Sequence, residues 1–291
     1  MRVFVIGATG WIGSAITDAF LQSHHQVIGL ARNASAVSAL EAKGAVAVQG
    51  DMDRYKTWLS VAKQADAIVV ASSASLQATV TLLQALIAAL QETQKPLVYI
   101  SGSSLYGDIG AQERVDEDAF VQRLSTPAMN QSPENVVYRA KEHGVHGIVI
   151  VGAGILYGRG GGSTPSFLLE EAKKRQVAWY IGEGQQRWSS VHVEDLAHLT
   201  VLAVEQMPSY RVFNAVAQAL SLHETAEIIA QVTHIRDGAQ SISEGEALSV
   251  WGSFWARILS RNLWLSSTRA ENILGWKPVA PSFKDDLLSN S

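Results

Sequence analysis

The run Met1-Arg-Val-Phe-Val-Ile-Gly-Ala-Thr-Gly-Trp-Ile-Gly13 constrains the fold of this chain more than any other stretch. Residues 2–6 form a short apolar run that reads as a buried parallel strand. Gly7, Gly10 and Gly13 follow at Gly-x-x-Gly-x-x-Gly spacing, with Thr9, Trp11 and Ile12 among them, and residues 14–21 then open a helical pattern. Strand, tight glycine turn and helix N-terminus in this order make a cradle for a pyrophosphate. Gly7 permits the sharp turn, Gly10 lets the main chain approach the phosphates, and Gly13 lets helix and strand pack closely. The first amides of the helix lack intrahelical acceptors, and with the positive end of the helix dipole they face the anion. The bland alternative is an ordinary tight turn.

Apolar runs alternate with helical patterns through the first half, which is the signature of an α/β fold built on a doubly wound parallel sheet. Strands are expected at 2–6, 26–31, 45–49, 66–71, 96–101 and 147–152, and helices near 12–23, 34–43, 54–63, 76–92 and 131–143. Gly44 sits where a helix C-terminal glycine belongs. The helix at 76–92 is apolar around much of its circumference, so it is either deeply buried or half of a subunit interface, the second implying a homodimer. After Tyr157 the pattern changes: Gly158-Arg-Gly-Gly-Gly is a loop, Thr164-Pro165 reads as an N-cap with proline at the first helical position, and Ser221-Leu-His-Glu224 reads as a capping box. The expected division is a dinucleotide-binding domain over 1–158, its core also drawing on 188–214, and a smaller, mostly helical substrate lobe over 159–291.

The ends of the strands carry the candidate cofactor residues. Strand two ends in Ala31-Arg32-Asn33, where a binder of unphosphorylated NAD commonly has an acidic residue for the ribose hydroxyls. The Arg32 guanidinium instead suits a 2′-phosphate, so NADP is expected over NAD; the alternative is a solvent-facing arginine. Asn33 caps the next helix and could also face that phosphate. Strand three leads into Gly50-Asp51-Met52-Asp53, where Asp51 can accept from the adenine amino group and the Met52 amide can meet a ring nitrogen. The alternative for an acid here is a helix N-cap, a role for which Asp53 looks better suited than Asp51. Strand four ends in Ala71-Ser72-Ser73-Ala74-Ser75, small residues that let a cofactor lie against the sheet.

In this order, the residues resemble the short-chain dehydrogenase/reductase superfamily, in its extended or atypical branch related to sugar-nucleotide epimerases and dehydratases. The matching pieces are 7–13, Gly50-Asp51, Ile100-Ser-Gly-Ser-Ser-Leu-Tyr-Gly107, Gly154-Ile-Leu-Tyr-Gly158, Val191-His-Val-Glu-Asp-Leu-Ala197 and Leu274-Gly-Trp-Lys-Pro278, spanning nearly the whole chain. The resemblance implies a Rossmann core, a small C-terminal substrate domain and catalysis in the cleft between them. Family catalysis uses a Tyr-x-x-x-Lys pair on the helix after strand five and a hydroxyl at that strand's end. Ser101, Ser103 and Ser104 supply the hydroxyl; Ser103 is favoured for catalysis, and Ser101 falls among the cofactor-facing residues. No Tyr-x-x-x-Lys exists in the chain: Tyr138-Arg-Ala-Lys141 is one residue short, and the family positions fall near Met129 and Pro133. Tyr138 and Lys141 are therefore expected on the surface, leaving Tyr106 and Tyr157, in loops at strand ends, as the nearest phenols able to donate a proton. His192 and Asp195 are expected to order the junction of the lobes, and Arg187 lies close to where relatives hold a nucleotide-sugar phosphate.

The remaining properties mostly exclude. A net charge of −4 without a basic block argues against nucleic acid or an anionic membrane as partner. The absence of cysteine excludes disulfides and thiolate chemistry, and no His, Asp or Glu cluster has metal-ligand spacing. With a strand starting at residue 2, no secretory leader is expected and a cytoplasmic location is the economical reading. The expectation is an NAD(P)-dependent oxidoreductase or epimerase-like enzyme acting on a small carbonyl or alcohol. Its alternative is a catalytically silent NADP(H)-binding sensor.

Overall fold

Val3, Phe4, Val5 and Ile6 are fully buried because the strand they form lies at the centre of a parallel sheet covered on both faces. The computed structural model describes residues 1–72, 74–110 and 114–289. Its strands are β1 Arg2–Ile6, β2 Gln26–Ala31, β3 Val46–Gln49, β4 Ala67–Val70, β5 Pro96–Gly102, β6 His146–Gly152, β7 Ile155–Tyr157, β8 Ala178–Ile181, β9 Arg187–His192, β10 Val212–Ala215, β11 Gln218–Ser221 and β12 Ala239–Ile242. The helices are α1 Trp11–Gln22, α2 Ala34–Ala42, α3 Leu59–Gln64, α4 Leu76–Leu90, α5 Glu117–Leu124, α6 Pro133–Tyr138, α7 Ser163–Arg175, α8 Val193–Gln206, α9 Leu222–Val232, α10 Glu244–Leu259, α11 Thr268–Leu274 and α12 Phe283–Ser289.

Among the described residues the central sheet has seven strands in the order β10-β6-β5-β4-β1-β2-β3, all parallel. This is a Rossmann-like doubly wound sheet. β7, β9 and β11 make a separate three-stranded sheet, and β8 pairs with β12. On α4, Thr79, Val80, Leu82, Leu83, Leu86, Ile87 and Leu90 are buried, so much of that apolar circumference is core; Leu76 at its start is exposed. Among the described residues no helix is long and apolar enough to cross a membrane, and no group of acids and histidines is placed to hold a metal ion.

Two expected helices are broken. The segment at 54–63 splits into a 3-10 turn, Met52–Thr57, and α3, because Trp58 folds inward, stacks on Phe4 at 5.5 Å and donates its indole N–H to the Asp51 carbonyl at 2.8 Å. The segment at 131–143 becomes α6 followed by a 3-10 turn, Arg139–His143; Pro133 can stand only in a first helical turn, and Ser132 caps it by accepting from the Asn135 amide. The expected cap at Thr164 is corrected too: α7 starts at Ser163, and the Thr164 hydroxyl donates to the Gly154 carbonyl at 3.0 Å. The Ser221–Glu224 capping box is present in full, and its hydrogen bonds from Ser221 hold the Glu224 carboxyl below its usual range. Ser221→Ala is expected to cost about 1 kcal/mol, seen as a fall in Tm of ~2–4 °C in a thermal melt.

Candidate functional site

From β1 the chain winds outward through β2 and β3, then returns to add β4 on the other side of β1. At such a reversal the loops leaving adjacent strands diverge and open a crevice beyond the strands' C-terminal ends. Here that crevice is a cleft of about 840 Å³. Gly10, Trp11, Ile12, Ala71 and Ser72 line one end; Tyr99, Ser101, Ser103 and Glu134 stand in the middle; Trp188, Phe254, Trp255, Ile258 and Leu263 close the other.

The glycine end has an anion site's geometry. Gly10 is the N-cap of α1 in extended conformation, with no side chain capping the helix. The amides of Trp11, Ile12 and Gly13 therefore have no acceptor within the helix. A Cβ on Gly13 would lie 2.0 Å from the Gly7 carbonyl oxygen, so the turn closes onto the helix only without one. At Gly10 a Cβ would meet only that oxygen, at 3.2 Å, and the rest of its surroundings are open. The Trp11 indole donates to the Gly158 carbonyl at 3.0 Å and fastens the glycine loop beside the helix start. Such a cradle fits a dinucleotide diphosphate.

The other expected cofactor residues lie along the same sheet edge. Arg32 is exposed just beyond β2 and makes no hydrogen bond or ion pair among the described residues. By contrast, Arg159 is held by Asp18 and Glu194, and Lys43 by Asp18. Asn33 caps α2, accepting from the Ala36 amide at 2.9 Å. Asp51, not Asp53, is the cap of the following 3-10 turn, its Oδ1 accepting from the Asp53 amide at 3.2 Å. Met52 is half-buried next to it, and Thr9 is exposed on the glycine turn. Ser73 lies outside the described residues.

Of the three expected catalytic side chains, one lines the cleft. Ser103 is buried there, facing Gly154. Tyr106 is not available: its hydroxyl donates to Asn214 Oδ1 at 2.8 Å, its ring lies on Phe120, and burial raises its pKa far above the ordinary phenol range. Tyr157 is likewise spent, donating to the Pro281 carbonyl at 2.8 Å with its ring between His192 and Phe283, its pKa raised by burial and by Asp195, Asp286 and Asp285. Neither tyrosine sits in the expected loop: Tyr106 ends a 3-10 turn, Ser103–Tyr106, and Tyr157 ends β7, and in each the preceding residue, Leu105 or Leu156, faces the cleft. Each tyrosine turns away from the cleft toward an acceptor distant in the chain, buried Asn214 for Tyr106 and the Pro281 carbonyl for Tyr157, which the sequence does not reveal.

Tyr138 and Lys141 do lie outside the cleft, with the ammonium 5.9 Å from the ring centre. His192 and Asp195 are engaged within the protein: His192 Nδ1 accepts from the Glu194 amide, and Asp195 accepts from the amides of Val279 and Ala280. Arg187 is drawn away onto the Trp264 ring, 5.2 Å from its centre, and toward the Ala219 carbonyl.

Sequence reasoning missed Glu134. This carboxylate is 3% exposed, lines the cleft and accepts from the Ser101 hydroxyl at 2.8 Å. It follows Pro133, where the resemblance puts the family's lysine; burial, and secondarily the charge of Glu134, raises the pKa of Tyr99. Tyr99 and Ser101, two residues apart on β5, share one face of the sheet. A helix-first-turn acid after a serine and a proline looks like ordinary capping chemistry, so nothing in the sequence marked it.

A model of the NAD dependent epimerase/dehydratase family matches residues 3–215. An uncharacterized protein of Schizosaccharomyces pombe is 27% identical over all of this chain and 99% of its own length. The epimerase family protein SDR39U1 of Bos taurus is 27% identical over 76% of each chain. Among solved structures, human SDR39U1 (isoform 2) with NADPH superposes with TM-score 0.73 at 20% identity, covering 99% of this chain and 98% of that one. A nucleoside-diphosphate-sugar epimerase from Pseudomonas aeruginosa superposes with TM-score 0.79 at 14% identity, covering 99% and 95%.

Proposed function

Since the chain belongs to the NAD dependent epimerase/dehydratase family, we propose that it is an NADP(H)-dependent oxidoreductase or epimerase-like enzyme acting on a small carbonyl or alcohol. The observation that carries this reading is the meeting, in one cleft, of the uncapped start of α1 with Ser101, Ser103 and Glu134. The amides of Trp11, Ile12 and Gly13 would hold the diphosphate, and Ala71 and Ser72 would flank the dinucleotide. Arg32 and Asn33 would face the 2′-phosphate, with Asp51 and Met52 at the adenine. Residues 159–291 would supply the substrate lobe. When bound, the nicotinamide supplies hydride exchange with the substrate carbon.

The protein's own residues handle the oxygen and its proton. Ser103 would hold the substrate oxygen by a hydrogen bond. For an alcohol, the hydroxyl proton passes to Ser101 Oγ while the Ser101 proton passes to the Glu134 carboxylate. For a carbonyl the same two transfers run backwards. The pair substitutes a carboxylate base for the family's phenol, consistent with the engagement of Tyr106 and Tyr157 elsewhere. That same engagement favours a second reading, a dinucleotide-sensing protein that binds cofactor without turnover. Oxidation of NADPH across a panel of aldehydes and ketones separates the two: firm binding with no turnover on any member supports the sensor.

Cofactor choice has its own test. The unpaired Arg32 guanidinium, together with the NADPH carried by human SDR39U1, supports NADP. NADPH is expected to bind at least about tenfold more tightly than NADH, one charge-assisted contact being worth ~1.5–3 kcal/mol. The Arg32→Ala protein should lose that preference while still binding NADH. Equal Tm shifts from the two cofactors in the unaltered protein would remove the 2′-phosphate argument.

A further inference from the structure

The far end of the cleft differs chemically from a nucleotide-sugar site. Phe254, Trp255, Trp188, Ile258 and Leu263 form its wall, and no lysine, arginine or histidine lines the cleft among the described residues. The sequence's candidate for a sugar-diphosphate contact, Arg187, is stacked on Trp264. The one carboxylate in the lining, Glu134, repels anions. A second diphosphate would thus lose its water without gaining a cation, and the amides of α1 are already committed to the first.

The aromatic wall is organised. α10 is interrupted at Gly252, and the segment beyond it brings Phe254, Trp255 and Ile258 to the cleft. The Trp255 ring is locked parallel to Phe167 at 4.1 Å. Phe254 meets Trp255 edge-on at 5.2 Å, yet is 65% exposed. A large ring fixed in this way and left facing an open cleft is a surface for a flat apolar molecule.

Resting on the oxidoreductase reading above, we propose that the substrate is an uncharged, flat apolar carbonyl compound or the matching alcohol, and not a nucleotide-linked sugar. Its ring system lies against Phe254 and Trp255, and its oxygen points toward Ser103.

Calorimetric titration reads this without requiring turnover. The protein is first titrated with NADP⁺, and then, loaded or apo, with 2-acetonaphthone and with UDP-glucose. The ketone is expected to bind at micromolar to low millimolar concentration, with UDP-glucose at least about tenfold weaker. Phe254→Ala, at an exposed position, is expected to weaken the ketone about tenfold and leave the NADP⁺ titration unchanged. UDP-glucose binding as tightly as the ketone, or ketone binding indifferent to Phe254→Ala, would overturn the proposal. Failure of NADP⁺ to bind defeats the oxidoreductase reading instead, and the apo titrations still decide the pocket's preference.

Discussion

Gly10→Val is expected to give a folded protein that has lost NADPH binding by about a hundredfold or more. Gly10 is the N-cap of α1 at φ −74°, ψ 167°, a conformation open to a β-branched residue. Its Cβ would meet only the Gly7 carbonyl oxygen, at 3.2 Å, a contact relieved by a shift of a few tenths of an ångström. The apo protein should therefore melt within about 1 kcal/mol of the parent's stability, allowing for valine's poor standing as an N-cap. The two methyl groups, however, would project where the diphosphate must approach the helix amides. Losing two charge-assisted hydrogen bonds forfeits about 3–6 kcal/mol. Gly13→Ala provides the contrast: its Cβ would sit 2.0 Å from the Gly7 oxygen, so there the fold itself should suffer. Thermal melts of the apo proteins separate the two cases, and calorimetry with NADPH reads the binding. If the valine variant binds NADPH normally, the glycine turn is not the phosphate cradle.

The parts of this molecule that were legible in the sequence are those whose signal is local. A buried parallel strand shows itself as an apolar run, and six of the seven central strands, with the glycine turn beside β1, match their expected ranges to within a residue at each end. The box at Ser221–Glu224 and the cap at Asn33 are likewise fixed by residues three positions apart. What failed depends on which side chains pack inward, in two cases onto partners far away in the chain. Tyr106 is turned from the cleft by Asn214, 108 positions later, and Tyr157 by Pro281, 124 positions later. Asp51 and Asp53 compete for one cap, and the buried Trp58 indole, bound to the Asp51 carbonyl, decides the local path. The aromatic wall at Phe254 and Trp255 has no local signature either: it lies beyond the break at Gly252, where the chain reaches the cleft.

Glu134→Gln is the change expected to cost turnover most while disturbing the structure least. Glutamine matches glutamate in shape, and its carbonyl oxygen can still accept from Ser101 Oγ, so the hydrogen bond now 2.8 Å long can survive. What disappears is the negative charge and the capacity to take a proton. If Glu134 only props Ser101 in place, turnover of the variant should stay near the parent's. If the carboxylate exchanges the substrate's proton through Ser101, kcat should fall by about 10²–10⁴, the ordinary worth of a positioned acid or base. KM and the NADPH-induced Tm shift should change little, because neither the amides of α1 nor the aromatic wall is touched. Glu134→Ala cannot make this distinction, since it also strands the buried Ser101 hydroxyl. A full-strength Gln variant would therefore remove Glu134 from the chemistry and return the search for the proton donor to Tyr99, the remaining phenol in the cleft lining.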